Sequence, residues 1–180
     1  MDHFHEEVVV KRKKGLDEFT YWLSWLVLIF SGAACVYLLS FMTVYFHNGD
    51  WLSWVLMLVV FGGIGVLTWL YHDRLRLEYE YTFTNGALDF AQVFNNKKRK
   101  TLGSLNVKTI DVFGPVNGEA FKRYVSMPEV QQTRWFLNRE GNLHFFYFQK
   151  EGSKRIIVFE PSEELVDLIR KYLPHGAYQQ

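Results

Sequence analysis

Residues 21–71 read YWLSWLVLIFSGAACVYLLSFMTVYFHNGDWLSWVLMLVVFGGIGVLTWLY: two apolar runs, Tyr21 to Phe46 and Trp51 to Tyr71, parted only by His47, Asn48, Gly49 and Asp50. Neither run holds a charged residue. The hydrocarbon core of a bilayer is ~30 Å thick and takes ~20 helical residues to cross. Runs of 26 and 21 residues are both long enough, so the stretch predicts a transmembrane helical hairpin. The aromatic residues agree, because Trp and Tyr settle at the interfaces, where an apolar ring and a polar edge are both satisfied. Tyr21, Trp22 and Trp25 open the first run, Tyr45, Trp51 and Trp54 surround the connection, and Trp69 and Tyr71 close the second. Small residues fall near mid-run: Ser31, Gly32, Ala33 and Ala34 in the first, Gly62, Gly63 and Gly65 in the second. Helices in lipid associate by close packing rather than by exclusion of water. Gly32, Gly62 and Gly63 are therefore the expected packing positions, within the hairpin or in a homo-oligomer.

Orientation follows from the flanking charges. Lys11, Arg12, Lys13 and Lys14 precede the first run, Arg74 and Arg76 follow the second, and the connection has no Lys or Arg. The positive-inside rule puts both termini in the cytoplasm and His47 to Asp50 outside, in a cell-membrane protein with two helices. Met1 to Glu18 are too long and too charged for the start of a cleaved signal peptide and are expected to stay on the mature protein. Lys11 to Lys14 read as an orientation signal within reach of anionic headgroups.

The 180 residues, 49% hydrophobic with a net charge of +1, leave room for the hairpin and one small domain. The mean hydropathy of −0.07 averages two unlike halves. The single cysteine, Cys35, lies inside the first run, which excludes a disulfide framework and a cysteine metal cluster. The expected partition is a cytoplasmic N-terminal segment (1–18), the hairpin (19–72), a cytoplasmic domain (73–174) and a tail (175–180). In the N-terminal segment Phe4 and Val8 suit a short amphipathic helix and Val8 to Val10 suit a strand, and both readings stay open. His3, His5, Glu6 and Glu7 are metal-ligand types, but a terminal segment without a supporting shell reads as solvated.

From Arg76 to Thr84 charged or hydroxyl residues alternate with large apolar ones, the period of a half-buried strand. Asn85-Gly86 supplies a type I′ turn. Further strands are expected at Ala87 to Phe94, Lys97 to Leu102, Val107 to Phe113, Thr133 to Asn138, Leu143 to Gln149 and Lys154 to Phe159, seven in all. Within Gly114 to Gln132, a short helix is expected at Glu119 to Ser126, with Phe121, Tyr124 and Val125 on one side and Lys122 and Arg123 exposed. Leu165, Leu168, Ile169, Tyr172 and Leu173 form the apolar stripe of a closing helix after Pro161.

The order of seven antiparallel strands and one amphipathic helix is that of a pleckstrin-homology-like (PH-like) barrel. With the basic run Lys11 to Lys14, the segment Glu78 to Asp89 with Lys97 to Lys100 after it, and the closing helix, the chain resembles an uncharacterised family of small bacterial membrane proteins. Members have two transmembrane helices and a cytoplasmic bacterial PH-like domain. The resemblance implies a membrane α-helical hairpin joined to an α+β or all-β PH-like domain, seven strands in a bent barrel with one C-terminal capping helix. It implies no function by itself.

No phosphate loop, zinc-protease or nucleophile-elbow spacing occurs, so no enzyme, catalytic residue, cofactor or metal is expected. His144, in the aromatic run Leu143 to Phe148, reads as a surface or a satisfied core histidine. Sixteen basic against thirteen acidic residues from His72 onward fall short of a nucleic-acid footprint. The expected function is a non-enzymatic, membrane-anchored interaction or scaffolding module that presents its PH-like domain at the inner face to a membrane or cytoplasmic protein. Phe121, Lys122, Arg123 and Tyr124 are the candidate partner-binding residues. The alternative is a sensor of anionic lipid headgroups, with Lys11, Arg12, Lys13, Lys14, Lys97, Lys98, Arg99 and Lys100 as candidate membrane-surface residues. PH domains that grip phosphoinositides use a long basic loop between their first two strands; here that connection is Asn85-Gly86, which has no charge and no room for a pocket.

Overall fold

The computed structural model describes residues 3–12 and 15–179. Lys13 and Lys14, half of the basic run, lie outside the described residues. The chain forms two compact units, Met1–Arg12 with Glu78–Gln180, and Lys13–Leu77.

In the second unit α1 (Gly15–Ser40), a short α2 (Met42–His47) and α3 (Trp51–Tyr71) lead to a 3-10 turn at His72–Leu75. Gly15–Ser40 and Trp51–Leu75 are both long and apolar enough to cross a membrane. The first apolar run is not one helix, because Phe41, at φ −102° and ψ 12°, separates α1 from α2. Asp17 and Glu18 occupy the first turn of α1, where the helix dipole favours negative charge. Glu18 takes a 2.6 Å hydrogen bond from Arg76, whose guanidinium lies 3.7 Å over the Tyr21 ring. Near the connection the buried Trp54 indole donates to the Leu38 carbonyl at 2.8 Å.

At mid-helix the Ser31 hydroxyl donates to the Phe61 carbonyl, and a Cβ on Gly65 would come within 2.7 Å of that hydroxyl oxygen. The expected packing glycines are not at this contact: a Cβ on Gly32, Gly62 or Gly63 would meet no atom within 4 Å. Helical spacing gives the reason. Phe61 and Gly65 are four residues apart and share a face, whereas each single step turns the chain by about 100°. Gly63 is thereby turned to the opposite side of α3 and Gly62 to the edge of that face.

Among the described residues of the first unit eight strands replace the expected seven. The first sheet has the order β1-β2-β3-β4, from β1 (Phe4–Val9), β2 (Leu77–Thr84), β3 (Ala87–Phe94) and β4 (Lys98–Asn106). The second has the order β5-β7-β8-β6, from β5 (Val112–Pro115), β6 (Gln131–Trp135), β7 (His144–Lys150) and β8 (Ser153–Phe159). Among the described residues no closed barrel forms, and β6 pairs with β8 in parallel, so the expectation of seven antiparallel strands in a bent barrel is corrected. The N-terminal segment takes the strand alternative, with Phe4↔Thr84 through Val9↔Tyr79 in register. The turn Asn85-Gly86 has the positive φ angles expected, 50° and 97°.

Phe113, Phe146 and Phe159 of the second sheet and Tyr81 and Phe90 of the first are fully buried and in ring contact. The other face of the second sheet, with Val112, Phe145, Tyr147, Ile156 and Val158, is also core. Burial on both faces explains why Phe145 to Tyr147 and Ile156 to Phe159 are continuous apolar runs rather than alternations. Helix α5 (Glu163–Tyr172) starts at Ser162, whose hydroxyl accepts from the Leu165 amide, and buries Leu165, Val166 and Ile169. The residues expected as a tail run beside β5 instead: Phe113 N donates to Ala177 O at 2.8 Å and Gln179 N to Phe113 O at 2.9 Å. Only glycine fits at 114, where a Cβ would overlap the Gln179 carbonyl oxygen.

The mid-helix geometry has a direct test. Gly65→Leu should overpack the Ser31 contact, at a cost of about 1–3 kcal/mol, and lower the yield of cysteine cross-links between α1 and α3. Gly62→Leu and Gly63→Leu should leave that yield unchanged.

Candidate functional site

Helix α4 (Glu119–Val125) carries the four expected partner-binding residues. Two of them are used by the core. The Phe121 ring lies 5.1 Å from Phe145 and the Tyr124 ring 4.4 Å from Tyr147, so both help to cover the outer face of the second sheet. Lys122 and Arg123 are exposed. Arg123 donates to Gln179 Oε1 at 2.6 Å and sits 4.9 Å over the Tyr124 ring, which ties the residues beside β5 to α4.

The basic residues gather at one end of the first sheet. Lys97 to Lys100 are all exposed, and the pairs Val93↔Arg99 and Gln92↔Lys100 send successive side chains to opposite faces. Gln92 reaches the Tyr79 hydroxyl at 3.0 Å, and Tyr79 pairs with Val9, the last residue of β1. Lys11 and Arg12, both exposed, follow at once. This end is therefore also where the chain leaves β1 towards Gly15 and enters β2 from Leu75. Arg99 is engaged by Glu80, a nearly buried carboxylate 2.5 Å away. Burial raises the Glu80 pKa, a hydrogen bond with Glu6 adds to the rise, and Arg99 opposes it.

A polar cleft of about 380 Å³ opens between the end of the second sheet and α5, lined among others by Asn117, Asn142, His144, Glu163, Asp167 and Arg170. His144 is buried in its wall, with its ring stacked on Phe113 at 5.2 Å and its Nδ1 3.4 Å from the Asn142 carbonyl oxygen. A carbonyl only accepts, so Nδ1 carries the proton and Nε2 keeps its lone pair. Burial lowers the His144 pKa; the Asn142 carbonyl opposes this and the Arg170 charge adds to it. Among the described residues no three His, Cys, Asp or Glu side chains converge as for a metal ion. The cleft is equipped to recognise polar groups.

Contacts to the N-terminal strand were not legible in the sequence. His3, His5 and Glu7 are part of the fold rather than solvated: His3 Nδ1 lies 2.8 Å from the Tyr172 hydroxyl, and the Glu7 carboxylate accepts from the Ser162 amide at 3.1 and 3.2 Å. His5 lies 3.3 Å from Glu7 and 3.6 Å from Glu164. The signal that could have found them is the alternation of β1, in which His5, Glu7 and Val9 share one face.

The lowered His144 pKa makes the domain sensitive to acid. An unfolded histidine near 6.5 binds protons that the folded one refuses, so stability is full above that value and falls as pH drops below it towards the folded pKa. His144→Phe, which keeps the stack on Phe113, should flatten the fall in thermal midpoint that the wild type shows between about pH 7 and about pH 5.

Comparison with known proteins gives one family match. The family model described as "Bacterial PH-like domain (DUF6106)" matches residues 1–179. No curated protein and no solved structure matches the chain. With the match spanning both apolar helices and both sheets, the chain belongs to this bacterial PH-like domain family.

Proposed function

We propose that the protein is a membrane-anchored, non-enzymatic interaction module that presents its PH-like domain at the inner membrane face to a protein partner. The observation that carries this reading is the surface of the two long helices. Leu16, Ile29, Phe30, Val36, Val59 and Val66 are each at least 60% exposed, and only 11% and 6% of the most apolar windows are buried. A soluble protein does not leave so large an apolar surface in water, and lipid is the solvent that suits it. Only Arg76 separates the 3-10 turn after α3 from β2. PH-like folds serve as binding modules, and exposed charges on loops and short helices over a rigid sheet are suited to recognition. Lys122 and Arg123 remain the residues on α4 that a partner could reach.

The basic end of the first sheet favours a second reading, in which the domain senses anionic headgroups. Lys11, Arg12, Lys97, Lys98 and Lys100 lie at that end of the sheet, and an unpaired basic residue near an anionic surface is worth about 1 kcal/mol. Arg12 and Arg99 contribute less, since Glu160 and Glu80 already hold them. Such attraction is screened by salt and does not select a headgroup, so it supports docking better than sensing.

Two experiments test the proposal. A cysteine at Asn48 should react with an impermeant reagent from outside intact cells; reaction only after lysis would reverse the assigned topology. Full-length protein in mild detergent should recover a specific protein partner, and Lys122→Glu with Arg123→Glu should cut recovery about tenfold, as expected for loss of two charge contacts. Recovery that survives both changes would move the contact off α4.

A further inference from the structure

Strand β1 is the one strand of the first sheet without a buried residue: Phe4, Glu6 and Val8 are exposed, and His5, Glu7 and Val9 are half-buried. It adds ladder hydrogen bonds to the edge of β2 but no core side chain, the condition under which a segment opens without global unfolding. What holds it beyond the ladder is polar and comes from parts of the domain remote in sequence. Asn85 Oδ1 accepts from the His3 amide at 2.9 Å, and His3 Nδ1 meets the Tyr172 hydroxyl. The Glu7 carboxylate sits on the Ser162 amide at the start of α5, where the helix dipole favours an anion. Past the strand, the Asn138 side chain acts as a backbone partner: Nδ2 donates to Val10 O at 3.0 Å, and Oδ1 accepts from Arg12 N at 2.8 Å. The Arg12 guanidinium lies 3.7 Å from Glu160, a buried carboxylate that also orients Asn138 through bonds of 3.0 and 3.1 Å. A Cβ at Gly141 would overlap that carboxylate, so the backbone is shaped around it.

These are the parts of a receptor for extended chain: a strand edge, an amide for a carboxylate, a side-chain amide for the backbone and a buried carboxylate for a cation. We propose that the edge of β2, with the Ser162 amide, Asn138 and Glu160, is a groove for an extended segment of a partner protein, and that residues 3–12 occupy it in cis. The segment it fits pairs as an antiparallel strand and carries a carboxylate where Glu7 stands and a Lys or Arg where Arg12 stands. This deepens the interaction-module reading and rests on it. The cis segment competes at an effective concentration of order mM, so the protein binds such a partner weakly until the cis segment is released.

The test uses the full-length chain in detergent and a fluorescent peptide of residues 3–12, HFHEEVVVKR. Glu7→Ala with Arg12→Ala in the chain weakens the cis occupant and leaves the groove intact, so the peptide should bind that variant about tenfold more tightly than the wild type. Adding Asn138→Ala should remove the gain, and a peptide with Ala for its Glu7 and Arg12 should bind about tenfold more weakly. Amide exchange in the wild type is independent of any variant's folding: residues 4–9 should exchange about a hundredfold faster than residues 144–150. Equal protection of the two strands, equal binding of a scrambled peptide, or no gain in the double variant would overturn the proposal. Self-association that requires residues 3–12 would also overturn it, by assigning the groove to a second copy. Peptide binding without any partner recovered from cells would leave the groove standing and sink the module reading, and the reverse result would do the opposite.

Discussion

Everything in the domain depends on the ring contacts that join its two sheets. Phe146 stacks on Phe159 at 4.9 Å and on Phe113 at 4.8 Å, while Tyr81 and Phe90 of the first sheet meet Phe159 edge-on, both at 5.5 Å. Offset and edge-to-face pairs add directionality to burial, so these rings fix which residues face each other across the sandwich. Tyr81 brings a hydroxyl with it, and a buried hydroxyl must be paired. It donates to the Trp135 carbonyl and accepts from the Glu160 amide at 3.3 Å. Burial pushes its pKa far above the usual tyrosine range, which keeps it a donor. One side chain thus ties β2 to the ends of both β6 and β8, and it sets Glu160 where Asn138 and Arg12 meet it.

Burial of both faces of the second sheet decides what the segment between β5 and β6 does. A sheet with apolar residues on its outer face needs a cover, and α4 supplies it through Ala120, Phe121, Tyr124 and Val125. The helix has seven residues, too few to be stable alone, and it persists because its apolar side is packed. Recognition is left to the opposite side, which makes Lys122 separable from the fold and Phe121 inseparable from it.

How far the sequence could be read follows from whether each pattern is local. The hairpin runs and the turn at Asn85-Gly86 are local: absence of charge over some twenty residues and a pair of positive φ angles need no distant partner. The parallel pairing of β6 with β8 is not, because Gln131 to Trp135 has no signature that distinguishes one neighbour from another. Strand β1 was ambiguous for a physical reason, since none of its side chains is buried and its alternation carries no apolar contrast. The Ser31 and Gly65 contact lay within the small residues noted, but helix rotation, and not composition, selects which of them face each other. Of the candidate site, the exposure of Lys122 and Arg123 was legible from helical spacing. The cleft beside His144 was not, because it is built from four separate stretches of chain.

Unpaired strand edges invite association and have to be covered, and this domain covers two of them by different means. The free edge of β5 is closed by residues 177–179, with Ala177 buried and Gly114 stripped of a side chain so that the Gln179 carbonyl can approach. That closure is shaped into the core, and opening it would expose an apolar side chain. The edge of β2 is closed by residues 4–9, none of whose side chains is fully buried and which are retained by carboxylate, amide and guanidinium contacts along the rim. Polar contacts exchange with water at small net cost, whereas buried apolar contacts do not, so the second closure is the labile one. It is also the one that continues in sequence into the first apolar helix, while β2 continues back to the second. Of the two closures, the one that opens with the core intact is therefore the one made by residues 4–9.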